Sequence, residues 1–405
     1  MKHPCLRTIE AYSLEHDGQP IVVIRDPEGL CREQLAVPLP MFLVMAMFDG
    51  SASIEDVQQE LMRKSGGVIL PREHIESIVH EMDRFYLLEN ERTAARRLEI
   101  EREYEAMPTR PAAYAGSAYP AAPAECAEFF EAMFDGIEAT DGRSPQPRGL
   151  IIPHIDWRVG GRTIAGGLAR LDAARPADLY IILGVPHHPA RNVFTLTDKS
   201  FETPLGLVRT DAVAAARLAE LYGAERLAGA SAHLAEHSVE FAAVGLKHLH
   251  RDGPDFAILP ILCSRLEEEL VPEGPSPMER PGVGDFVRAL RQLVNEYEGR
   301  VCVIASVDLS HVGRKFGDAD GIDDLRAQSV RRQDGEMLER VAAMDAEGFF
   351  ASIRRDGNAR NVDATTAVYV MMNMLGEGSA GELDYQQWHE QETDSMVTFA
   401  SMAIY

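Results

Sequence analysis

The amino-acid sequence predicts an α/β protein whose main domain is a mostly parallel sheet flanked by helices, with a smaller domain at the N-terminus. The 405 residues exceed one average hydrophobic core, which favours a main domain and a smaller unit. From residue 149 onward, strand-length apolar runs alternate with helical stretches of about 10–15 residues. Three of these runs end in histidine, over Gly149–Trp157, Tyr180–His188 and Cys302–His311.

Composition and charge limit the class of protein. Apolar residues make up 45% and charged residues 26% of the chain, which is typical of a soluble globular protein. The longest apolar run, Met41–Phe48, is far shorter than the roughly 18 residues of a membrane helix, and the N-terminus lacks the apolar segment of a secretory signal. Five scattered cysteines without a CxxC motif fit a reducing compartment, so we expect a cytoplasmic protein. The net charge of −24 disfavours nucleic acid as a partner.

Residues 1–90 have the pattern of a separate small domain. We predict strands over Gln19–Arg25 and Val68–Leu70, and helices over Pro38–Phe48 and Pro71–Leu88. A further helix starts at residue 54, after a serine and with acidic residues in its first turn, and ends at residue 61. Residues 91–111 are predicted to be a charged helical linker, because this stretch is polar nearly all round.

The motifs DGSASIEDVQQEL and VILPREHIESIVHEMDRFYLL, with their order of helices and short strands, resemble a winged-helix domain of the PqqD-like kind. Winged helices often bind DNA, yet residues 1–100 hold 11 Lys and Arg against 17 Asp and Glu. We therefore expect a module that docks a peptide or a protein.

Residues 112–405 form the predicted main domain. Besides the three histidine-bearing runs, the pattern predicts a series of elements along the chain. These are helices over 161–173, 211–223, 283–298, 327–343 and 363–375, with strands over 255–263, 300–307 and 395–405.

The histidine-bearing runs predict a shared site. The carboxyl ends of parallel strands meet at one edge of a sheet, so His154, His187 and the Asp308–His311 segment are expected to converge. Converging imidazoles are typical of a metal centre, although a single strand-end histidine is often only a solvated polar group. Successive side chains of a strand face opposite ways, so at most one ring of the His187–His188 pair is expected to point into the crevice.

The main domain resembles the Memo family along its full length. The matching motifs are AGSAYPA at Ala115–Ala121, IIPHIDWRVGGRTIA at Ile151–Ala165, ILGVPHH at Ile182–His188, FETPLGLVRTD at Phe201–Asp211, EHSVEF at Glu236–Phe241 and ASVDLSH at Ala305–His311. With the N-terminal module, the chain resembles the Memo component of the AmmeMemoRadiSam system, which implies AMMECR1-like and radical SAM proteins as partners.

The Memo fold is similar to that of class III extradiol dioxygenases, which hold non-haem iron between two histidines and a carboxylate. Memo proteins use two histidines and a cysteine. The resemblance implies His154, His187 and Asp363 as the ligands here, with a carboxylate in place of the cysteine. This set suits Fe(II), so the expected cofactor is one transition metal, with iron favoured over copper or zinc. Asp363 also precedes an apolar helical run, so a helix N-cap is the alternative.

The resemblance implies roles for the remaining residues. His311, Asp308 and His237 are the predicted catalytic residues: His311 as general acid and base, Asp308 as an orienting carboxylate, and His237 facing the substrate. The predicted pocket residues are His188, Trp157 and Glu236. The local sequence offers an alternative for two of them, which is a helix cap for Glu236 and an exposed loop for Trp157. The histidines at 74, 80, 233, 248, 250 and 389 are expected to lie at the surface.

Two hypotheses follow for function. The first is an Fe(II)-dependent, dioxygenase-like or redox enzyme that acts on an unknown small-molecule, aromatic or peptide-borne substrate. The second is a non-catalytic scaffold, with or without metal, whose crevice binds a peptide or protein. Neither involves nucleic acid or a membrane.

Overall fold

The computed structural model describes the chain except residues 1, 17, 27, 32, 34, 65, 68, 69, 139, 141–144, 189, 267 and 268. The chain forms two compact units, Met1–Ala106 and Met107–Tyr405. In the part that the structure describes, no helix is long and apolar enough to cross a membrane. The five cysteines all lie among the described residues and are free.

The described residues of the first unit form a three-stranded antiparallel sheet and four helices. Its elements are β1 (Glu10–His16), β2 (Gln19–Arg25), β3 (Leu35–Pro38), α1 (Leu39–Met45), α2 (Ile54–Lys64), α3 (Arg72–Arg84) and α4 (Glu91–Ala106). The sheet order is β1-β2-β3. The predicted strand over 19–25 has the observed bounds of β2. Most of the predicted strand over 68–70 lies outside the described residues.

The core of the first unit joins its sheet to its helices. Val22 and Ile24 of β2 pack with Met45, Val57 and Ile75, which come from α1, α2 and α3. Alternate strand positions face the helices, and the helical residues recur at the spacing of one helix face.

The second unit contains a nine-stranded sheet and eight helices among its described residues. The strands are β4 (Gly149–Ile152), β5 (Leu179–Gly184), β6 (Phe194–Leu196), β7 (Arg209–Thr210), β8 (Ala257–Cys263), β9 (Val301–Ser306), β10 (His311–Gly313), β11 (Ala380–Glu390) and β12 (Ser395–Ile404). The helices are α5 (Pro123–Phe134), α6 (Trp157–Leu168), α7 (Ala212–Tyr222), α8 (His237–Leu249), α9 (Pro281–Glu296), α10 (Asp324–Ala342), α11 (Ala346–Arg354) and α12 (Thr365–Leu375).

The strand order is β10-β12-β4-β9-β5-β8-β6, with β11 paired to β12 and β7 paired to β8. The central strands β4, β9, β5 and β8 are parallel, as predicted. Antiparallel strands extend both sides, because β12 runs against β4 and β6 runs against β8. The sheet is therefore parallel where the three histidine-bearing runs lie.

Both faces of the central strands are covered. Along β5, Ile181 and Leu183 belong to one hydrophobic core, and Tyr180 and Ile182 belong to the other. This alternation follows the two-residue period of a strand, and burial on both faces explains why these runs are apolar throughout.

One close contact positions the site. A Cβ atom on Gly184, the last residue of β5, would lie 2.5 Å from the Ser238 hydroxyl, so a larger residue would push α8 away. The Ser238 hydroxyl instead donates to the Val185 carbonyl at 3.0 Å and accepts from the Val185 N–H at 3.1 Å. The first turn of α8 is thereby fixed beside the end of β5.

Candidate metal centre

His154 follows the end of β4 and is 1% exposed. Its Nδ1 lies 2.8 Å from the Ser306 carbonyl oxygen, at the end of the neighbouring strand β9. A carbonyl oxygen only accepts hydrogen bonds, so Nδ1 donates a proton to it and Nε2 is the nitrogen that faces the crevice. Nε2 is buried and has no hydrogen-bond partner among the described residues.

Asp308 lies past the end of β9, between the ends of β4 and β5. Its Oδ1 accepts the backbone N–H groups of His154 at 3.1 Å and Ile155 at 3.2 Å. Its Oδ2 lies 3.8 Å from His154 Nε2. Asp308 therefore fixes the loop that carries His154, and burial raises the pKa of its carboxyl.

Asp363 is 4% exposed, and its Oδ2 lies 3.2 Å from His154 Nε2. Neither of its carboxylate oxygens has a hydrogen-bond partner among the described residues. The helix-cap alternative is wrong, because α12 begins at Thr365 and its N-cap residue is Ala364, without a side-chain cap. The Asp363 carboxylate is thus directed at His154 rather than at a helix end.

The carboxylates around His154 favour a positive charge at its ring. Burial alone would lower the pKa of His154, but the carboxylates of Asp308 and Asp363 outweigh burial and raise it to about 10. Burial alone would raise the pKa of Asp363, but His154 lowers it. Two buried carboxylates therefore favour a proton or a metal ion at Nε2 of His154.

His187 and Glu236 form the other side of the crevice. Glu236 is 1% exposed, and it accepts the His187 backbone N–H at 2.7 Å and its ring Nδ1–H at 3.0 Å. It also caps α8 by accepting the Ser238 N–H at 2.9 Å. The capping interpretation of Glu236 is therefore confirmed, and the same carboxylate also holds His187. Burial raises the pKa of Glu236, but His187 and His237 hold it well below its usual range.

His237 is the first residue of α8 and stacks on His187, with ring centroids 4.4 Å apart. His154 meets both rings edge-on, at centroid distances of 5.0 and 5.1 Å. His188 points elsewhere, since its Nε2 lies 3.3 Å from the Ala235 carbonyl oxygen. Burial, then the neighbouring His187, lowers the pKa of His237 well below its usual range.

Two groups of side chains in the described chain have ligand atoms within 4.8 Å of one another. One group is His154, His187 and His237, and the other is His154, Asp308 and Asp363. The predicted ligand set of His154, His187 and Asp363 takes two members from each group. Imidazole nitrogens and carboxylate oxygens that face one another in this way fit a metal ion, which would replace the proton on Nε2 of His154.

His311 approaches the same crevice at the start of β10. Its Nδ1 lies 3.2 Å from each of two carbonyl oxygens, those of Leu309 and Asn361. Nδ1 therefore carries the proton, and Nε2 is the basic nitrogen. Burial lowers the pKa of His311, so its ring is neutral near pH 7.

Other histidines and Trp157 differ from expectation. His233, His248 and His250 are 1%, 2% and 4% exposed, so their predicted surface position is wrong. They pack inside the domain; the His250 Nε2, for example, lies 2.8 Å from the Tyr180 hydroxyl. Trp157 is buried against Phe130, at a centroid distance of 4.7 Å, so the exposed-loop alternative for Trp157 is wrong.

Sequence reasoning missed the backbone carbonyls of Ser306, Leu309 and Asn361, which set the protonated nitrogen of two histidines. No residue type marks such a role, because every residue has a carbonyl. It also missed Arg110 and Glu240, a fully buried ion pair within the second unit. Arg110 donates to the Glu236 carbonyl at 2.7 Å and so supports the start of α8.

A parallel α/β sheet with imidazoles and carboxylates gathered at one edge defines the class of this unit, that of an α/β protein with a candidate metal crevice. The family model described as "Memo-like protein" matches residues 110–403. The chain belongs to this family.

Curated relatives agree with this assignment. A MEMO1 family protein of Aquifex aeolicus is 28% identical over 386 residues, covering 95% of this chain and 96% of the relative. A MEMO1 family protein of Thermus thermophilus is 27% identical and covers 87% and 99%. One of Methanosarcina barkeri is also 27% identical, but it covers 73% of this chain and 99% of itself. A solved structure, of an uncharacterized Escherichia coli protein, aligns with a TM-score of 0.35 at 14% identity, covering 64% of this chain and all of that one.

Proposed function

We propose that the second unit binds one transition metal ion through His154, His187 and Asp363, and that this ion is iron. One observation supports this assignment above others. His154 and His187 each direct Nδ1 at a fixed acceptor, which leaves Nε2 of each ring for a ligand, and Nε2 of His154 faces the Asp363 carboxylate at 3.2 Å. Metal-binding histidines typically have their second nitrogen held by a carbonyl or carboxylate in this way.

Two imidazoles and one carboxylate are the ligand set of Fe(II) oxygenases. The metal in such a site supplies redox chemistry with dioxygen and keeps coordination positions open for dioxygen and substrate. Three protein ligands leave such positions open. The proposed reaction class is therefore an extradiol-dioxygenase-like or other oxidation of an aromatic or peptide-borne substrate.

His311 is the proposed proton-transfer residue. Its Nδ1–H is held by two carbonyls, its neutral Nε2 accepts a proton near pH 7, and it lies close enough to Asp363 and Asp308 for their charges to act on its pKa. A positioned neutral imidazole removes a proton from a hydroxyl and returns it later. Asp308 positions His154 through the backbone, so its role in this proposal is orientation.

The proposed substrate enters past His187 and His237, whose side chains are 33% and 20% exposed. The alternative, a scaffold that binds a peptide without turnover, is supported by the N-terminal unit. The family model matches residues 110–403, so it covers the second unit and not the N-terminal unit. Docking of AMMECR1-like or radical SAM partners on it, in the cytoplasm, belongs to this proposal.

Elemental analysis and oxygen consumption separate the two functions. The protein is produced with iron present, purified without oxygen or chelators, and assayed with catechols for oxygen uptake. About one iron per chain with uptake supports the enzyme. Iron without uptake across a panel of catechols favours the scaffold, and no stoichiometric metal contradicts the metal centre itself.

A further inference from the structure

His237 has a position that the proposed iron ligands do not explain. Its ring is stacked on His187, with a centroid distance of 4.4 Å and an angle of 29° between the ring planes. Its ligand nitrogen lies within 4.8 Å of those of His154 and His187. Three imidazoles therefore gather at one point of the crevice.

Glu236 orients two of these rings alike. Its Oε1 lies 3.0 Å from Nδ1 of His187 and 3.4 Å from Nδ1 of His237. Both Nε2 atoms consequently lie on the ring edges away from Glu236. Since Glu236 is 1% exposed, its charge is poorly screened by water and favours a cation nearby.

We propose that His154, His187 and His237 form a second metal position, rich in nitrogen, which takes Zn²⁺ or Cu²⁺. It lies beside the carboxylate-bearing iron position and shares His154 and His187 with it, so one ion is held at a time. This inference depends on the proposed function only in treating the neighbouring position as an iron site. Three imidazoles form established zinc sites, and Zn²⁺ and Cu²⁺ bind nitrogen ligands more tightly than Fe²⁺ does.

Zinc binding at this position requires the ligand nitrogens of His154, His187 and His237 to move closer together. With Zn–N bonds of about 2.0–2.1 Å in a tetrahedral site, ligand nitrogens lie about 3.3 Å apart. Histidine χ2 angles are broadly distributed, and the partly exposed rings of His187 and His237 have room to turn toward buried His154. His237 thus decides which metal the crevice prefers.

The test compares metal-free wild type with His237→Phe, His237→Gln and Asp363→Asn, titrated with Zn²⁺ alone and, without oxygen, with Fe²⁺ alone. Phenylalanine keeps the ring packing against Tyr114 and Phe241, and glutamine keeps a polar end. Both His237 variants are expected to weaken Zn²⁺ binding at least about tenfold and Fe²⁺ binding less than about threefold. Asp363→Asn is expected to do the reverse.

His389→Gln is the matched control, since this histidine of the second unit has a side chain 42% exposed and belongs to neither ligand group. It should leave both affinities unchanged. The proposal is overturned if the His237 variant that folds, judged by its melting curve, binds Zn²⁺ as wild type does, or loses Zn²⁺ and Fe²⁺ equally. Zinc binding that depends on His237, without any iron binding, would support this inference and contradict the proposed iron centre.

Discussion

On one side of the crevice the side chains of His154, Asp308 and Asp363 are 1%, 4% and 4% exposed, whereas on the other side those of His187 and His237 are 33% and 20% exposed. The buried side is held by backbone groups at the ends of adjacent parallel strands. The exposed side depends on one carboxylate, that of Glu236.

The difference shows which part of the crevice is rigid. Strand ends in a sheet move little, so the buried side provides a fixed point for a metal. The exposed histidines lie at a loop and at a helix start, where rings turn at low cost and where a substrate has access. Substitutions on the two sides should therefore have different consequences.

The largest effect is expected from the residue that both ligand groups share. His154→Ala should abolish binding of iron and zinc alike, because His154 is common to both groups. Elemental analysis of the purified variant measures this loss. Retention of one metal per chain would place the metal outside the crevice.

A substitution at Asp334 tests how much buried polar contacts contribute to the stability of the second unit. It is fully buried, pairs with Arg360, and accepts the hydroxyls of Ser310 and Thr398, each at 2.6 Å. Asp334→Ala should lower the free energy of unfolding by about 3–5 kcal/mol, because Arg360 is left buried without its partner. Fluorescence reports on this unit, since the two tryptophans, Trp157 and Trp388, both lie in it.

The matched control is an exposed carboxylate on the same helix, α10. Glu336 pairs with Arg355 at 3.0 Å, and their side chains are 45% and 62% exposed. Glu336→Ala should cost less than about 1 kcal/mol. Equal effects of the two alanine substitutions on the free energy of unfolding would contradict the larger stabilising contribution of the buried network.

Glu236 tests the exposed side. Glu236→Gln keeps the size of the side chain but removes the charge that holds Nδ1 of His187. Metal affinity should fall by about 10–100-fold, the usual effect of changing a residue that orients a ligand. Isothermal titration with the metal-free protein measures the change, and an unaltered affinity would show that His187 needs no orienting carboxylate.

A pH-dependent effect is expected from a buried histidine outside the crevice. Burial lowers the pKa of His233 to about 4, against about 6.5 for an unfolded chain. Between these values the unfolded state binds more protons, so stability is lost as pH falls from 6.5 to 4, by at most about 1.4 kcal/mol per pH unit. In urea unfolding at pH 7, 6 and 5, the stability difference between wild type and His233→Asn should therefore shrink as pH falls. A constant difference would contradict the depressed pKa.

The sequence predicted much of the second unit, because β4, β5 and β9 are apolar runs that end in polar residues at one sheet edge. The placement of His154, His187 and Asp308 around that edge follows directly from parallel pairing. The short strand β6 and the irregular register of β11 against β12 were not predicted. Both depend on pairing with neighbouring strands rather than on the local sequence pattern.

The buried histidines could not be predicted for a related reason. His248 and His250 lie at the end of α8, where a helix pattern predicts solvent, yet Phe130 and Tyr180 from other elements cover them. Asp363 is a parallel case: local sequence allowed a cap, and only the observed helix start excludes it.

The role of Asp363 as a metal ligand is tested by Asp363→Asn, with Asp363→Cys as the control that supplies another anionic donor. Iron content per chain is measured for both variants and for wild type, prepared without oxygen or chelators. We expect about one iron in wild type, a near-complete loss in the asparagine variant with its circular dichroism unchanged, and retained metal of altered colour in the cysteine variant. Unchanged iron in Asp363→Asn would contradict the two-histidine, one-carboxylate centre.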